Sequence, residues 1–327
     1  MIARFSDRSL VLVALLLVVL FGSGSESRAQ GADSKKELGW SNSTDLSVVV
    51  AQGNADTQSF GLDNKLRHHW KQANFQLKAD VFQTNEADDR FLLIEPGLTW
   101  LPGEDPPLGG TTVVDPPIET EAARFFVEGK YDREIRERLY WSAGASWDRN
   151  EDAGILNRYI AFGGLGRIWW DHEDSAFKTV WALSYTDREE DEIDPEKDLR
   201  FGGLRFSWDY MDRWGKLVVY ENDFTANMSL KDTGDYSLGM TNSVSVKVSS
   251  HLALKVSLQG LFENEPALED VDVVARVELV DPDGVPASGD EFFRTVESGG
   301  FALLVDTGDV RKDQIDTIFK TSLAISF

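Results

Sequence analysis

From residue 39 onward the chain alternates apolar and polar side chains with a period of two, stretch after stretch. That period places alternate side chains on opposite faces of an extended strand, and no helix can use it. Twelve such stretches can be read, at 39–52, 55–70, 73–85, 121–133, 138–150, 155–171, 175–187, 198–211, 215–230, 235–249, 252–264 and 312–327. Each is long enough to cross a bilayer as a tilted strand, which takes about 9–11 residues. In the last one Phe319, Thr321, Leu323, Ile325 and Phe327 share a face opposed by Lys320, Ser322, Ala324 and Ser326. Phe75, Leu77, Ala79 and Val81 likewise alternate with Gln76, Lys78 and Asp80, and Trp141, Ala143, Ala145 and Trp147 with Ser142, Gly144, Ser146 and Asp148. One face suits lipid and the other water.

The connections sharpen this. The odd-numbered ones are Gly53-Asn54 and then about 86–120, 151–154, 188–197, 231–234 and 265–311; the even-numbered ones, near 70–72, 134–137, 171–174, 212–214 and 250–251, are all short. In an up-and-down barrel odd and even connections emerge on opposite sides, with short periplasmic turns and longer outer loops. A soluble sandwich has no cause to sort loop length by parity. Trp70, Tyr140, Trp141, Trp169, Trp170 and Trp214 lie near even connections, where a periplasmic aromatic girdle is expected.

Both ends agree with export. Arg4 and Arg8 precede an apolar run from Leu10 to Phe21, and Ser27-Arg28-Ala29 offers small residues for signal-peptidase cleavage before Gln30. The run is too short to span a bilayer comfortably. The terminal Phe327 resembles the sorting signal by which outer-membrane barrels engage their assembly machinery. With no cysteine the chain has no disulfide, thiolate chemistry or lipoprotein anchor. A net charge of −23 argues against nucleic acid as a partner. Mean hydropathy is −0.29, as expected where only alternate residues meet lipid. Any membrane-spanning form must then be a closed barrel, since only helices and barrels satisfy the backbone in hydrocarbon.

In detail the chain resembles the outer-membrane barrels called domain of unknown function 481, also described as salt-induced outer membrane proteins. The resemblance rests on the opening strand Asp45 to Gln52 with its Gly53-Asn54 turn, and on Phe162-Gly163-Gly164-Leu165-Gly166-Arg167. The strand register from Arg124 to Asn264 and the closing strand Asp316 to Phe327 also fit. It covers most of the mature chain; the inserts at about 86–120 and 265–311 depart from it. It implies architecture and location, and no biochemical activity.

The faces assigned to the lumen carry charge of both signs: Asp63, Lys65 and Arg67; Lys78 and Asp80; Glu128, Lys130 and Asp132; Arg205 and Asp209; Glu221 and Asp223; Lys247, Lys255 and Lys320. They read either as a selectivity ring in a channel or as paired charges that fill a modest barrel, twelve strands lying between filled and open sizes. The acidic stretch 187–198, with Glu263, Glu265, Glu269, Asp270 and Asp272, offers carboxylates to divalent cations, although it lacks EF-hand spacing and reads more simply as solvated loop. Segments 271–280 and 291–305 are apolar enough for a hairpin that either extends the wall or folds over the mouth. The four histidines, His68, His69, His172 and His251, all lie at even connections, away from the outer leaflet where an outer-membrane hydrolase would need a Ser-His pair.

The expectation is therefore an all-β chain: a closed antiparallel transmembrane up-and-down β-barrel of twelve strands over 38–327, after a signal peptide 1–29 and a periplasmic segment 30–37. Its long inserts are extracellular. Its partners are outer-membrane lipids and the assembly machinery, and no cofactor or catalysis is expected. A narrow or plugged pore, or an envelope-stress structural protein, fits this reading. The alternatives are an outer-membrane hydrolase and a surface-binding module built on the acidic loops.

Overall fold

The computed structural model describes residues 38–51, 57–85, 91–94, 96–102, 111–114, 121–150, 153–282, 292–296, 300–312 and 314–326. The proposed signal peptide, segment 30–37 and Phe327 lie outside them. In chain order the strands are β1 (Gly39–Ala51), β2 (Thr57–His69), β3 (Ala73–Asn85), β4 (Phe91–Ile94), β5 (Thr99–Trp100), β6 (Thr111–Val114), β7 (Glu121–Arg136), β8 (Leu139–Asn150) and β9 (Ile155–Asp171). They continue as β10 (Ser175–Glu190), β11 (Arg200–Trp214), β12 (Val218–Ser229), β13 (Tyr236–Lys247), β14 (Leu252–Glu263), β15 (Leu268–Val280), β16 (Phe292–Thr295), β17 (Phe301–Arg311) and β18 (Ile315–Ser326).

Twelve of them close into an antiparallel ring, β1-β18-β14-β13-β12-β11-β10-β9-β8-β7-β3-β2. These are the twelve strands that the alternation marks. Closure pairs β1 with β18, Ser43 facing Ser326 through Ser47 facing Ser322, so no edge is left to lipid. The pattern of exposure is that of a barrel in lipid. Trp181, Leu183 and Tyr185 are more than half exposed, while Ala182, Ser184 and Thr186, which alternate with them, are buried. Outward rings stack from strand to strand, Trp208 on Phe224 at 4.1 Å and Trp181 against Phe206 at 4.2 Å between centroids.

Gly166 of the 162–167 stretch has a packing role. Tyr140 is turned inward and buried, and its ring lies where a Cβ on Gly166 would stand, with the nearest ring atom 2.2 Å away. Phe162 covers Gly144 in the same manner. Two inward rings are thus seated on bare backbone of the adjacent strand. Tyr140 is not part of the girdle that the sequence suggested; Trp70, Trp141, Trp169, Trp170 and Trp214 are exposed as expected.

The two inserts build one sheet beyond the barrel, ordered β5-β16-β15-β4-β6, with β17 on the other edge of β15. Ile94, Trp100, Val273, Ala275 and Val277 form its buried core. Segments 271–280 and 291–305 do pair antiparallel, Val277 with Thr295 through Val280 with Phe292, but the second segment is more than one strand. It divides between β16 and β17, which flank β15 on opposite edges.

This sheet grows out of the β14/β18 ladder, whose last rung is Phe262 facing Ile315 and whose continuation opens with Leu268 facing Arg311. Five residues, 263–267, separate the rungs on one strand and three, 312–314, on the other. The surplus bends the pair, as a bulge does. The bend carries Ala267 to Gly154 in the β8–β9 connection, where an added Cβ would sit 2.8 Å from that of Ala267. Gly154 also has φ +66, which disfavours any side chain there. Since β9 stands five places from β14 in the ring, the base of the insert reaches across the mouth at the long-loop end. The insert thus continues the β14/β18 wall, while its base also touches the connections of other strands at Gly154 and Asp194.

Candidate functional site

The interior charges stand in rungs. Asp45, Asp63 and Asp80 face one another across β1, β2 and β3. The next rung toward the short turns is Ser43, Lys65, Lys78 and Glu128, and the one after it Ser41, Arg67, Gln76 and Lys130. On the far wall Asp209 faces Asp223. Like charges directly opposed across strands are destabilising unless something else neutralises them. Lys320 does so for the aspartate rung, with Nζ 2.7 Å from Asp80 and 3.4 Å from Asp63, and Lys255 lies 2.7 Å from Asp45.

Further pairs cross the lumen. Arg205 on β11 donates to Glu128 on β7 at 2.6 Å, and Lys130 on β7 approaches Asp209 on β11 at 3.4 Å, each spanning four places in the ring. Arg158 on β9 binds Glu263 on β14 at 2.5 Å, five places away, and is held from behind by Asp148 at 2.9 Å. Asn150 on β8 donates to Asp316 on β18 at 3.2 Å. Lys78 on β3 approaches Asp223 on β12 at 3.7 Å, six places apart in a ring of twelve. Contacts of this reach are made only through the interior.

The tiers differ in exposure. Toward the long loops, the side chains of Arg188, Glu190 and Lys197 are each 3% exposed, joined as Lys197–Glu190 at 2.6 Å, and Arg188 binds Asp235 at 2.8 Å. Above them Arg311, at the base of the insert, meets Asp194 at 2.9 Å. Burial works against the Asp194 anion, but the Glu196 amide N–H at 2.9 Å and the Arg311 guanidinium outweigh it and hold its pKa below the ordinary value. Burial pushes Glu265 upward, and the nearby Asp232 and Asp235 add to this. Midway down, Asp209 and Asp223 remain 43% and 36% exposed. The ion-paired side chains near the long-loop end are thus the more buried, and the carboxylates midway down the more exposed.

The structure brings Asp63, Asp80, Lys78, Glu128, Lys130, Arg205, Asp209, Asp223, Lys255 and Lys320 into one network. Glu221 faces Ser243, and Lys247 lies on the same face of β13 as Ser243, nearer the short turns. Arg67 donates through Nε to Gln76 at 3.1 Å. Lys65 makes no ion pair among the described residues. Glu263 belongs to β14 and to Arg158 rather than to the outer loop. The acidic loop is not simply solvated, since Glu190 and Asp194 are buried against cations of the chain itself. Among the described residues no group of three or more carboxylates and histidines is placed to hold a metal ion. Asp45, Arg158 and Arg188 were missed in the sequence, and Asp148 was placed on the water face without being counted among the interior charges. The period-two phase of β1, β9 and β10 would have assigned the first three to the interior.

The histidines lie where their turns put them. His68 packs between Trp40 and Trp70, at 4.5 and 4.2 Å between centroids, inside the girdle. His172 and His251 are exposed, and the contact of His251 Nδ1 with Ser250 Oγ, 2.8 Å, joins adjacent residues of a short turn.

Fold and interior together define a closed twelve-stranded transmembrane barrel of the outer-membrane kind, with a charge-filled lumen. The chain belongs to the family described as protein of unknown function, DUF481, whose model matches residues 44–280. No curated protein sequence matches it. Similar solved structures include a NanC porin in a rhombohedral crystal form, with TM-score 0.40 and 8% identity over 87% of this chain and 98% of that one. Another is an anion-selective porin from Comamonas acidovorans, with TM-score 0.34 and 10% identity over 89% of this chain and 99% of that one.

Proposed function

We propose that this chain is a non-catalytic bacterial outer-membrane barrel whose lumen is plugged at rest by its own ion pairs. The observation that carries the reading is the Lys78–Asp223 approach between strands on opposite sides of the ring. An open charge-selective ring would keep such groups apart, each in contact with water. Beside this contact, Lys130–Asp209 and Arg205–Glu128 close the same cross-section, and Arg158–Glu263 closes a second one nearer the mouth. Each pair offsets the cost of a charge held away from bulk water and is stranded if its partner is lost. The long-loop end faces the exterior, and the base of the insert, reaching across the mouth, is a second barrier there.

The test is single-channel recording of the purified full chain in planar bilayers. Conductance small or absent supports the plug. Large, stable conductance of the native protein refutes it. Turnover of phospholipid by the same preparation, abolished by His251→Ala, would refute the non-catalytic part.

A further inference from the structure

Two amide side chains stand on the lipid face of the barrel. On β12 the phase that turns Asp223 inward turns Asn222 outward, with Phe224 and Tyr220. Its partner across the ladder, on β13, is a second asparagine, Asn242. Asn222 lies four positions into β12 from Val218, and Asn242 five positions into β13 from Lys247. At about 3.3 Å per residue on a strand tilted by about 40°, both sit roughly 10 Å above the short turns, within the apolar band. Trp208 Nε1 donates to Asn222 Oδ1 at 2.5 Å, and Tyr220 Oη and Asn222 Nδ2 each donate to Asn242 Oδ1 at 2.8 Å. The Asn242 oxygen is thereby filled. Both N–H groups of Asn242 and one of Asn222 have no partner among the described residues, and Asn222 Oδ1 keeps room for a second donor. Acyl chains accept no hydrogen bond, so a free amide N–H is costly at this depth. The side chains around the pair, among them Met240 and Leu258, are exposed and apolar.

We propose that the outward face of the β12/β13 ladder docks against the same face of a second copy, in a dimer whose two-fold axis runs along the membrane normal. Copies inserted in one orientation can be related by that axis and by no two-fold lying in the membrane plane. It sets β12 of one copy against β13 of the other, and so Asn222 against Asn242 twice over. An isologous contact requires a surface complementary to itself. This one is: Asn242 brings free N–H groups, Asn222 an oxygen that takes a second, and each copy supplies both. Asparagine amides link membrane-spanning segments in the same manner. The stacked rings of Trp208 and Phe224 on one side, and Met240 on the other, close apolar surface around the amides. A second polar group on the lipid face, Asn64 with Asn42 and Thr44, fits a partner less well. Asn64 spends both N–H groups inside the group, on Asn42 at 2.9 Å and Thr44 at 2.8 Å, and Asn42 lies two positions from Trp40 in the girdle. The proposed contact uses the lipid face alone and does not depend on the state of the lumen.

The chain has no cysteine, so single-cysteine variants report contact without background. Cross-linking is carried out with a short bis-maleimide on the full chain in membranes. Met240→Cys, beside the seam, should give a linked dimer. Leu183→Cys on β10 and Leu46→Cys near the Asn42 group, both exposed, should not. In detergent micelles the native chain should sediment as a dimer. The combined Asn222→Leu and Asn242→Leu variant should dimerise at least about tenfold more weakly, with its heat-dependent gel mobility retained as proof of a folded barrel. Should that variant fail to fold, the cysteine variants decide, since both asparagines are intact in them. A native chain that stays monomeric at every concentration, with no link through Met240→Cys, overturns the proposal. A dimer linked through Leu46→Cys or Leu183→Cys instead overturns it as well, as does a dimer that the folded double variant leaves equally strong.

Discussion

Lys78 and Asp223 approach to 3.7 Å although their strands stand six places apart in a ring of twelve. The lumen is therefore narrow enough for one lysine and one aspartate to bridge it. The pair is part-exposed, so its contribution falls between that of surface pairs, about 0–1 kcal/mol, and the 3–5 kcal/mol of breaking a buried one. Lys78→Gln combined with Lys130→Gln should cost roughly 1–3 kcal/mol by the same scale. The loss is read as a lower temperature of conversion to the unfolded gel band, with higher conductance.

Lys320 should matter more. It is buried and sits between two of three carboxylates that stand abreast. Lys320→Met leaves Asp63 and Asp80 without that cation and should destabilise the barrel by about 3–5 kcal/mol in urea titrations. Adding Asp63→Asn should recover part of the loss, because a carboxylate is removed with the lysine. If the single variant is as stable as the native chain, the aspartate rung is not held by Lys320.

The seat of Tyr140 on Gly166 gives a test by packing. Gly166→Val would drive a branched side chain into a ring whose nearest atom is 2.2 Å from the site of its Cβ. Overpacking of this kind costs typically about 1–3 kcal/mol. Combining it with Tyr140→Ala should relieve the clash, so the double variant should fold better than Gly166→Val alone. The comparison is made by refolding yield in micelles.

Acid should loosen the mouth. The pKa of Asp194 is depressed in the folded protein, so its contribution is present above the ordinary value of 3.8 and is lost as pH falls through the folded value. Glu265 is shifted the other way, so its charge is a cost at neutral pH that acid relieves. If Arg311–Asp194 is the latch, protease cleavage within 191–199 should rise only below about pH 4, near the ordinary aspartate value. Asp194→Asn should make cleavage high at every pH. Unchanged cleavage in that variant would show that the insert is held by other contacts.

The barrel was legible because lipid on one side and water on the other force period two onto every strand, and because loop length sorts by parity. The insert sheet was not. β4, β5, β6 and β16 have four residues or fewer, too short for a period to declare itself, and β15 pairs with β4 across most of the chain. The charges show the same division. Phase along the strand tells that Lys130 and Asp209 point inward, but their meeting depends on the stagger and circumference of the closed ring, which no local pattern contains. Tyr140 was misplaced for a related reason: nearness to a short turn suggested the girdle, while its phase, shared with Ser142, puts it inside.

The central claim is that opposed charges close the lumen, and a charge-swap cycle at Lys78 and Asp223 tests it most directly. Conductance in planar bilayers is compared for the native chain, Lys78→Asp, Asp223→Lys and the double swap. Little or no conductance is expected for the native chain, an increase for each single swap that places like charges together, and a return toward closure in the double swap. High native conductance that the single swaps alter only in ion preference, with effects that simply add in the double swap, would contradict it.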